Sequence, residues 1–273
     1  NYASKITEIA RNGILAIKDY VENKGYKVIY GDTDSIFINI PFEKAFEFLD
    51  ELNAFIERYF KEKYGVNDVK IRIKLEKYNK RMLIGDVKKR YATWVIWEKK
   101  ECDYIHIAGF EVVRRDQSKY TKDIQKKVIE MILRGASKEE VRKYVTNILN
   151  EFTKQPLDEI AIRKTINKPF EEYNPKPAQI RGSILANMYL GEDIKVGDRV
   201  KMLYVKYVEG LPRTDVICYK DIKKLEGRKV IVDYDRMKQL TILNRLEPIL
   251  KIIGVDVKGG LKVKRTLFDA FGR

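Results

Sequence analysis

The chain has 273 residues, 44% hydrophobic and 35% charged, enough apolar material for two modest domains with cores of their own. Lysine and arginine outnumber aspartate and glutamate by 55 to 40, and the resulting +15 favours a polyanionic partner. Two distant cysteines, Cys102 and Cys218, and the single His106 exclude a disulfide framework and a Cys/His zinc site, while no apolar run is long enough to span a membrane.

Residues 3–23 place Ile6, Ile9, Ala10, Ile14, Leu15 and Ile17 at helical spacing, predicting a helix that ends near Gly25. Lys27-Val28-Ile29 and Ile36-Phe37-Ile38-Asn39-Ile40 then read as two strands about a tight turn. Pro41 opens a second amphipathic helix, with Phe42, Ala45, Phe46, Leu49, Leu52, Phe55, Ile56, Tyr59 and Phe60 on its apolar side and Gly65 as its stop. Strands are expected over Val69–Leu75 and Tyr91–Trp97, completing a two-layer α+β domain that ends near residue 108.

After Gly109 the pattern turns helical. Helices are expected over Asp116–Arg134, Ser137–Thr153 and Asp158–Thr165, the second with Ser137 and Glu140 as a capping box. A proline-rich stretch from Lys168 to Pro177 precedes another helix over Ala178–Tyr189. Strands follow at Arg199–Val208 and Val216–Tyr219, and a last helix covers Tyr234–Ile253. From Lys258 the glycines, lysines and a short apolar cluster read as a flexible tail.

The turn between the first two strands reads Tyr30-Gly31-Asp32-Thr33-Asp34-Ser35. Two carboxylates at alternate positions repel each other unless something pairs them. A hard divalent cation such as Mg²⁺ would relieve that repulsion and keep open positions for water and phosphate oxygens; an acidic surface hairpin is the competing reading. Positive charge is concentrated downstream. From Lys74 to Tyr91 seven cations face Glu76 and Asp86, and from Lys258 to Arg273 five face Asp269.

The hexapeptide resembles motif C of the family B DNA polymerases, and three later segments agree with it in order and distance. Leu75-Glu76-Lys77-Tyr78-Asn79-Lys80-Arg81 with Lys88-Lys89-Arg90-Tyr91-Ala92 is similar to the family's later palm segment and its KKxY motif. Gly109-Phe110-Glu111-Val112-Val113-Arg114-Arg115-Asp116 resembles the passage from palm to thumb, and Lys168-Pro169-Phe170-Glu171-Glu172-Tyr173 resembles a thumb motif of archaeal members. The resemblance implies an α+β fold: the C-terminal part of a palm over residues 1–108, a mainly helical thumb over 109–257, and a tail over 258–273. It further implies nucleotidyl transfer from dNTPs to a primer–template, with two Mg²⁺ ions (Mn²⁺ as a substitute) bridging the attacking and leaving oxygens. Asp34 would ligate the metals, Asp32 would support it, and Glu76 would align with a further palm acid in a setting that departs from the family's form. Thr33, Lys88, Lys89, Arg90 and Tyr91 would meet the duplex near the primer end. Arg114 and Arg115 would bind primer–template or form salt bridges at the domain junction.

The family's motif A, fingers motif and exonuclease motifs do not occur in the sequence, and Asn1 falls just past where the fingers would end. The chain is therefore expected to be the C-terminal part of a split polymerase, or a trimmed piece of a single-chain one, working with an N-terminal polymerase chain that supplies exonuclease, motif A and fingers. Lys264-Arg265-Thr266-Leu267-Phe268-Asp269-Ala270-Phe271 is similar to a clamp-binding peptide, with Leu267, Phe268 and Phe271 as its anchors for a sliding clamp. The expected setting is cytoplasmic, nucleoid-associated and, from the abundance of Lys, Glu and Ile, thermophilic. A non-catalytic DNA-binding or clamp-recruiting module is the alternative. A reverse-transcriptase-like palm is disfavoured, because Thr33 separates the two aspartates.

Overall fold

The computed structural model describes residues 2–32, 35–110, 112 and 117–256. Asp34, Thr33, Arg114, Arg115, Leu267, Phe268 and Phe271 lie outside the described residues. The chain divides into two compact units, residues 1–80 with 95–104 and residues 81–94 with 105–273.

In the first unit, helix α1 (Tyr2–Asn23) and helix α2 (Phe42–Tyr64) flank a two-stranded antiparallel hairpin, β1 (Lys27–Gly31) and β2 (Ile36–Asn39). Ile17 and Val21 of α1 join Phe48, Leu52, Ile56 and Phe60 of α2 in one core, with Val69 closing it. The buried stripe of α1 is narrower than expected, since Ile6 and Leu15 face solvent. On α2 the expected apolar side omits Phe48, which is buried, and includes Phe46, which is 46% exposed. The helix has two apolar faces. Phe42 meets Tyr78 at 4.8 Å between centroids and Phe46 meets Trp97 edge-on at 5.4 Å, so these rings serve a second cluster. Gly65 ends α2 as expected.

Residues 69–75 are extended but form no strand, which corrects the expectation there. Their period-2 burial holds only in part: Val69, Ile73 and Leu75 turn inward and Lys70, Arg72 and Lys74 are exposed, but Ile71 is 47% exposed. The pairing is supplied by a side chain. Asn53 of α2 accepts from Ile73 N at 2.8 Å and donates to Ile73 O at 3.0 Å, taking the place of a neighbouring strand.

Strands β3 (Tyr78–Ile84), β4 (Tyr91–Glu98) and β5 (Lys100–Ala108) form a three-stranded sheet in that order. Sequence patterning found β4 but not its partners, because Asn79-Lys80-Arg81 and Lys100-Glu101 with Asp103 dilute their apolar signal.

The second unit carries helices α3 (Lys119–Arg134) and α4 (Lys138–Glu151), the latter opened by the expected capping box of Ser137 and Glu140. The helix expected over Asp158–Thr165 is corrected. Only one turn forms, α5 (Leu157–Ile160), and the chain then enters strand β6 (Ile162–Thr165). The β-branched Ile162 and Thr165 suit a strand, and Lys201 grips Asp158 at 2.6 Å to fix the turn against β7 (Arg199–Val208). Strand β7 lies between β6 and β8 (Val216–Tyr219), and its far half pairs with β9 (Val230–Val232).

Helix α6 (Ala178–Tyr189) packs on β8 at Gly182, where a β-carbon would stand 2.8 Å from Cys218 Sγ and 3.0 Å from Cys218 N. Burial pushes the Cys218 thiol up to about 12, which removes it from nucleophilic chemistry. The last helix runs as α7 (Tyr234–Lys238), a π turn over Gln239–Leu243, and α8 (Asn244–Ile252). Among the described residues, no helix is long and apolar enough to cross a membrane.

Candidate functional site

The β1–β2 register pairs Lys27 with Asn39 and Val28 with Ile38, skips Ile29, then pairs Tyr30 with Phe37 and Gly31 with Ile36. The bulge at Ile29 shifts the pleat by one residue. Tyr30 and Phe37 meet edge-on at 5.8 Å. Asp32 N donates to Ser35 O at 2.9 Å, so backbone pairing continues one pair past the strands. Asp32 is half-buried and, by alternation, shares the face of Tyr30.

Glu76 is exposed in the extended stretch before β3. Its neighbour Lys77 is spoken for: Nζ lies 3.7 Å from Glu98 Oε1 and over the ring of Tyr104. The Tyr104 hydroxyl donates to Glu98 Oε2 at 2.5 Å, and this bond to a carboxylate, aided by partial burial, pushes the phenol up to about 12. Among the described residues no group of three His, Cys, Asp or Glu side chains could hold a metal ion, so Glu76 and Asp32 are not gathered into such a set.

The basic run sits on the turn between β3 and β4. Gly85 N donates to Arg90 O at 2.8 Å and Arg90 N to Val87 O at 3.1 Å, closing the turn, with Lys89 in the left-handed region at φ 67°. Lys88 and Lys89 are exposed; Arg90 and Tyr91 are half-buried. Gly109 also has φ 67°, and its backbone lies directly on this turn. A β-carbon there would overlap the Lys89 carbonyl oxygen, 2.8 Å from its carbon and 3.2 Å from Arg90 Cα. Phe110 is buried in the core beside it. Two segments set apart in sequence, residues 88–91 and 109–110, thus fit one another through backbone.

Lys168 is exposed and bends back over its own loop. Its Nζ donates to Glu172 O at 2.8 Å and lies 4.8 Å from the centre of the Tyr173 ring, a local clasp rather than a projecting cation. Sequence reasoning missed a further cluster, in which Arg181 and Arg236 converge on Asp215. The three residues are far apart in the chain, and no local pattern could have announced them.

The family model for DNA polymerase family B matches residues 1–253. The chain is 32% identical over 183 residues to DNA polymerase 2 of Aeropyrum pernix, an alignment covering 66% of this chain and 20% of that protein. It is 24% identical over 283 residues to the mouse DNA polymerase alpha catalytic subunit, covering 97% of this chain and 19% of that protein. The chain therefore spans about a fifth of the length of these relatives. Among solved structures, the family B DNA polymerase of Pyrobaculum calidifontis aligns with a TM-score of 0.66 at 27% identity, covering 93% of this chain and 30% of that one. The family model covers nearly the whole chain: the chain belongs to DNA polymerase family B.

Proposed function

We propose that this chain is the C-terminal palm and thumb part of a DNA-directed DNA polymerase, with residues 1–108 as palm and 109–257 as thumb. The observation that carries the reading is the Asp32–Ser35 backbone pair, which extends the register of a bulged hairpin inside the span that the family model matches. Asp32 is presented there at a strand end, and Asp34 follows it two residues on in the sequence. Both donors are carboxylate oxygens, the chemistry a hard divalent cation takes, so the residues fit Mg²⁺ in kind. Asp34 and Asp32 would hold the ions, with Glu76 as a further acid; the ions would neutralise charge on the transferred phosphate.

The exposed Lys88 and Lys89, with Arg90, Tyr91 and Thr33, supply backbone contacts to primer–template that carry no sequence preference, as do Arg114 and Arg115. The alignments cover only about a fifth of these relatives, and synthesis is assigned to a complex with the N-terminal segment that carries exonuclease, motif A and fingers. Leu267, Phe268 and Phe271 are assigned to a sliding clamp.

Reconstitution tests the assignment. With the N-terminal segment present, the chain should extend a primer with dNTPs. Asp34→Ala should lower that rate by on the order of 10²-fold or more while duplex affinity holds. Substantial synthesis by Asp34→Ala overturns the catalytic role, and a reconstituted complex that binds duplex without synthesis points to a non-catalytic module. Removal of residues 266–273 should abolish stimulation by the clamp.

A further inference from the structure

The second unit holds an open depression of about 820 Å³ lined by α6, the far half of β7 and the connection from β7 to β8. Its floor is apolar, made by Ile184, Leu185 and Val205; Met188, 66% exposed, carries the same helix face one turn further. Its rim is basic. Arg181 donates twice to Asp215, at 2.8 and 3.0 Å, and Arg236 reaches the same carboxylate at 3.1 Å while its guanidinium lies 3.7 Å from the centre of the Tyr204 ring. Two guanidiniums thus share one acid, and this pairing, Arg181 first, holds the Asp215 carboxyl below the usual carboxylate range. Lys206 and Arg213 also line the depression, are exposed, and have no acidic partner among the described residues.

We infer that this depression is a docking site for an acidic peptide of a partner protein, one whose carboxylates meet Lys206 and Arg213 while aliphatic side chains cover Ile184 and Leu185. Charge complementarity selects the partner's sign: Arg181, Lys206 and Arg213 line the depression with one carboxylate, Asp215, which Arg181 and Arg236 already pair. The apolar floor selects its class. A phosphate backbone needs only cations and gains nothing from Ile184, Leu185 and Val205, whereas a peptide with an aliphatic anchor buries both surfaces. The cluster also presents a fixed geometry, because Asp215 O accepts from Val205 N at 3.1 Å and so ties the rim to the floor.

The test uses the full chain and a short fluorescein-labelled peptide in which aspartates and glutamates flank two leucines, followed by fluorescence anisotropy. A peptide with the leucines replaced by serines and an oligothymidine strand serve as competitors. The leucine peptide should bind, and Lys206→Glu with Arg213→Glu should weaken it by about tenfold, equal to about 1.4 kcal/mol. Leu185→Ser should weaken it while leaving the serine peptide unaffected. Lys206 and Arg213 lie at the surface and Leu185 is half-buried, and an unchanged thermal transition of each variant shows that folding is intact. Equal binding of leucine and serine peptides, insensitivity to the charge reversals, or displacement by oligothymidine as efficiently as by peptide each overturns the inference. The result is independent of the polymerase assignment, which stands or falls on Asp34 and primer extension.

Discussion

Gly109→Ala probes the contact that joins the basic turn to the segment following β5. Gly109 sits at φ 67°, where an L side chain costs roughly 1–2 kcal/mol. The added methyl would also overlap the Lys89 carbonyl and approach Arg90 Cα at 3.2 Å, so the turn must shift, an overpacking of about 1–3 kcal/mol. The sum is about 2–5 kcal/mol. Gly227 provides the control, with φ 74° and nothing within 4 Å of where a methyl would stand, so Gly227→Ala carries the backbone penalty alone. Urea unfolding followed by Trp94 in a Trp97→Phe background reports the second unit, since Trp94 lies there beneath the Arg134 guanidinium at 4.4 Å. Gly109→Ala should lower stability by at least about 1 kcal/mol more than Gly227→Ala. Equal losses would refute the packing of Gly109 on Lys89, and with it the rigid placement of Lys88 and Lys89.

Other outcomes follow from the same physical terms. Asn53→Leu removes both bonds to the Ile73 backbone and should cost about 1–3 kcal/mol, with faster amide exchange at Ile73; unchanged exchange would show that another group pairs this segment. Ser137→Ala breaks the capping box of α4 and should cost about 1 kcal/mol in thermal or urea unfolding. The Asp215 carboxyl is depressed in the folded state, so its contribution is complete above the ordinary carboxylate range and is lost as pH falls through the folded value. Asp215→Asn should therefore flatten the acid limb of the stability–pH curve by no more than ~1 kcal/mol, because the pair is solvent-screened. Tyr104 has the opposite sign. Raised from an ordinary 10 to about 12, its phenol supports the fold below pH 10 and loses that support between about 10 and 12, a step that Tyr104→Phe should remove from the alkaline limb.

The sequence made the long helices and the hairpin legible because their signals are local: Pro41 and Gly65 bracket α2, Ser137 and Glu140 open α4, and apolar runs bracket Asp32. It failed where pairing comes from a distance. Residues 69–75 alternate as a strand does, yet their partner is the Asn53 side chain, and Asp158–Thr165 begins as a helix but is drawn into a strand by β7. The candidate site shows the same division. Asp32 and the basic turn could be read from motif spacing, but the fit of Gly109 against Lys89 could not, because a glycine's role there depends on which backbone it touches. The Arg181–Asp215–Arg236 cluster is the extreme case, assembled from a helix, a loop and a second helix with no periodicity to mark it. A chemical motif is legible when its residues share one turn of chain; a binding surface built from three elements becomes legible only once β7 has placed them side by side.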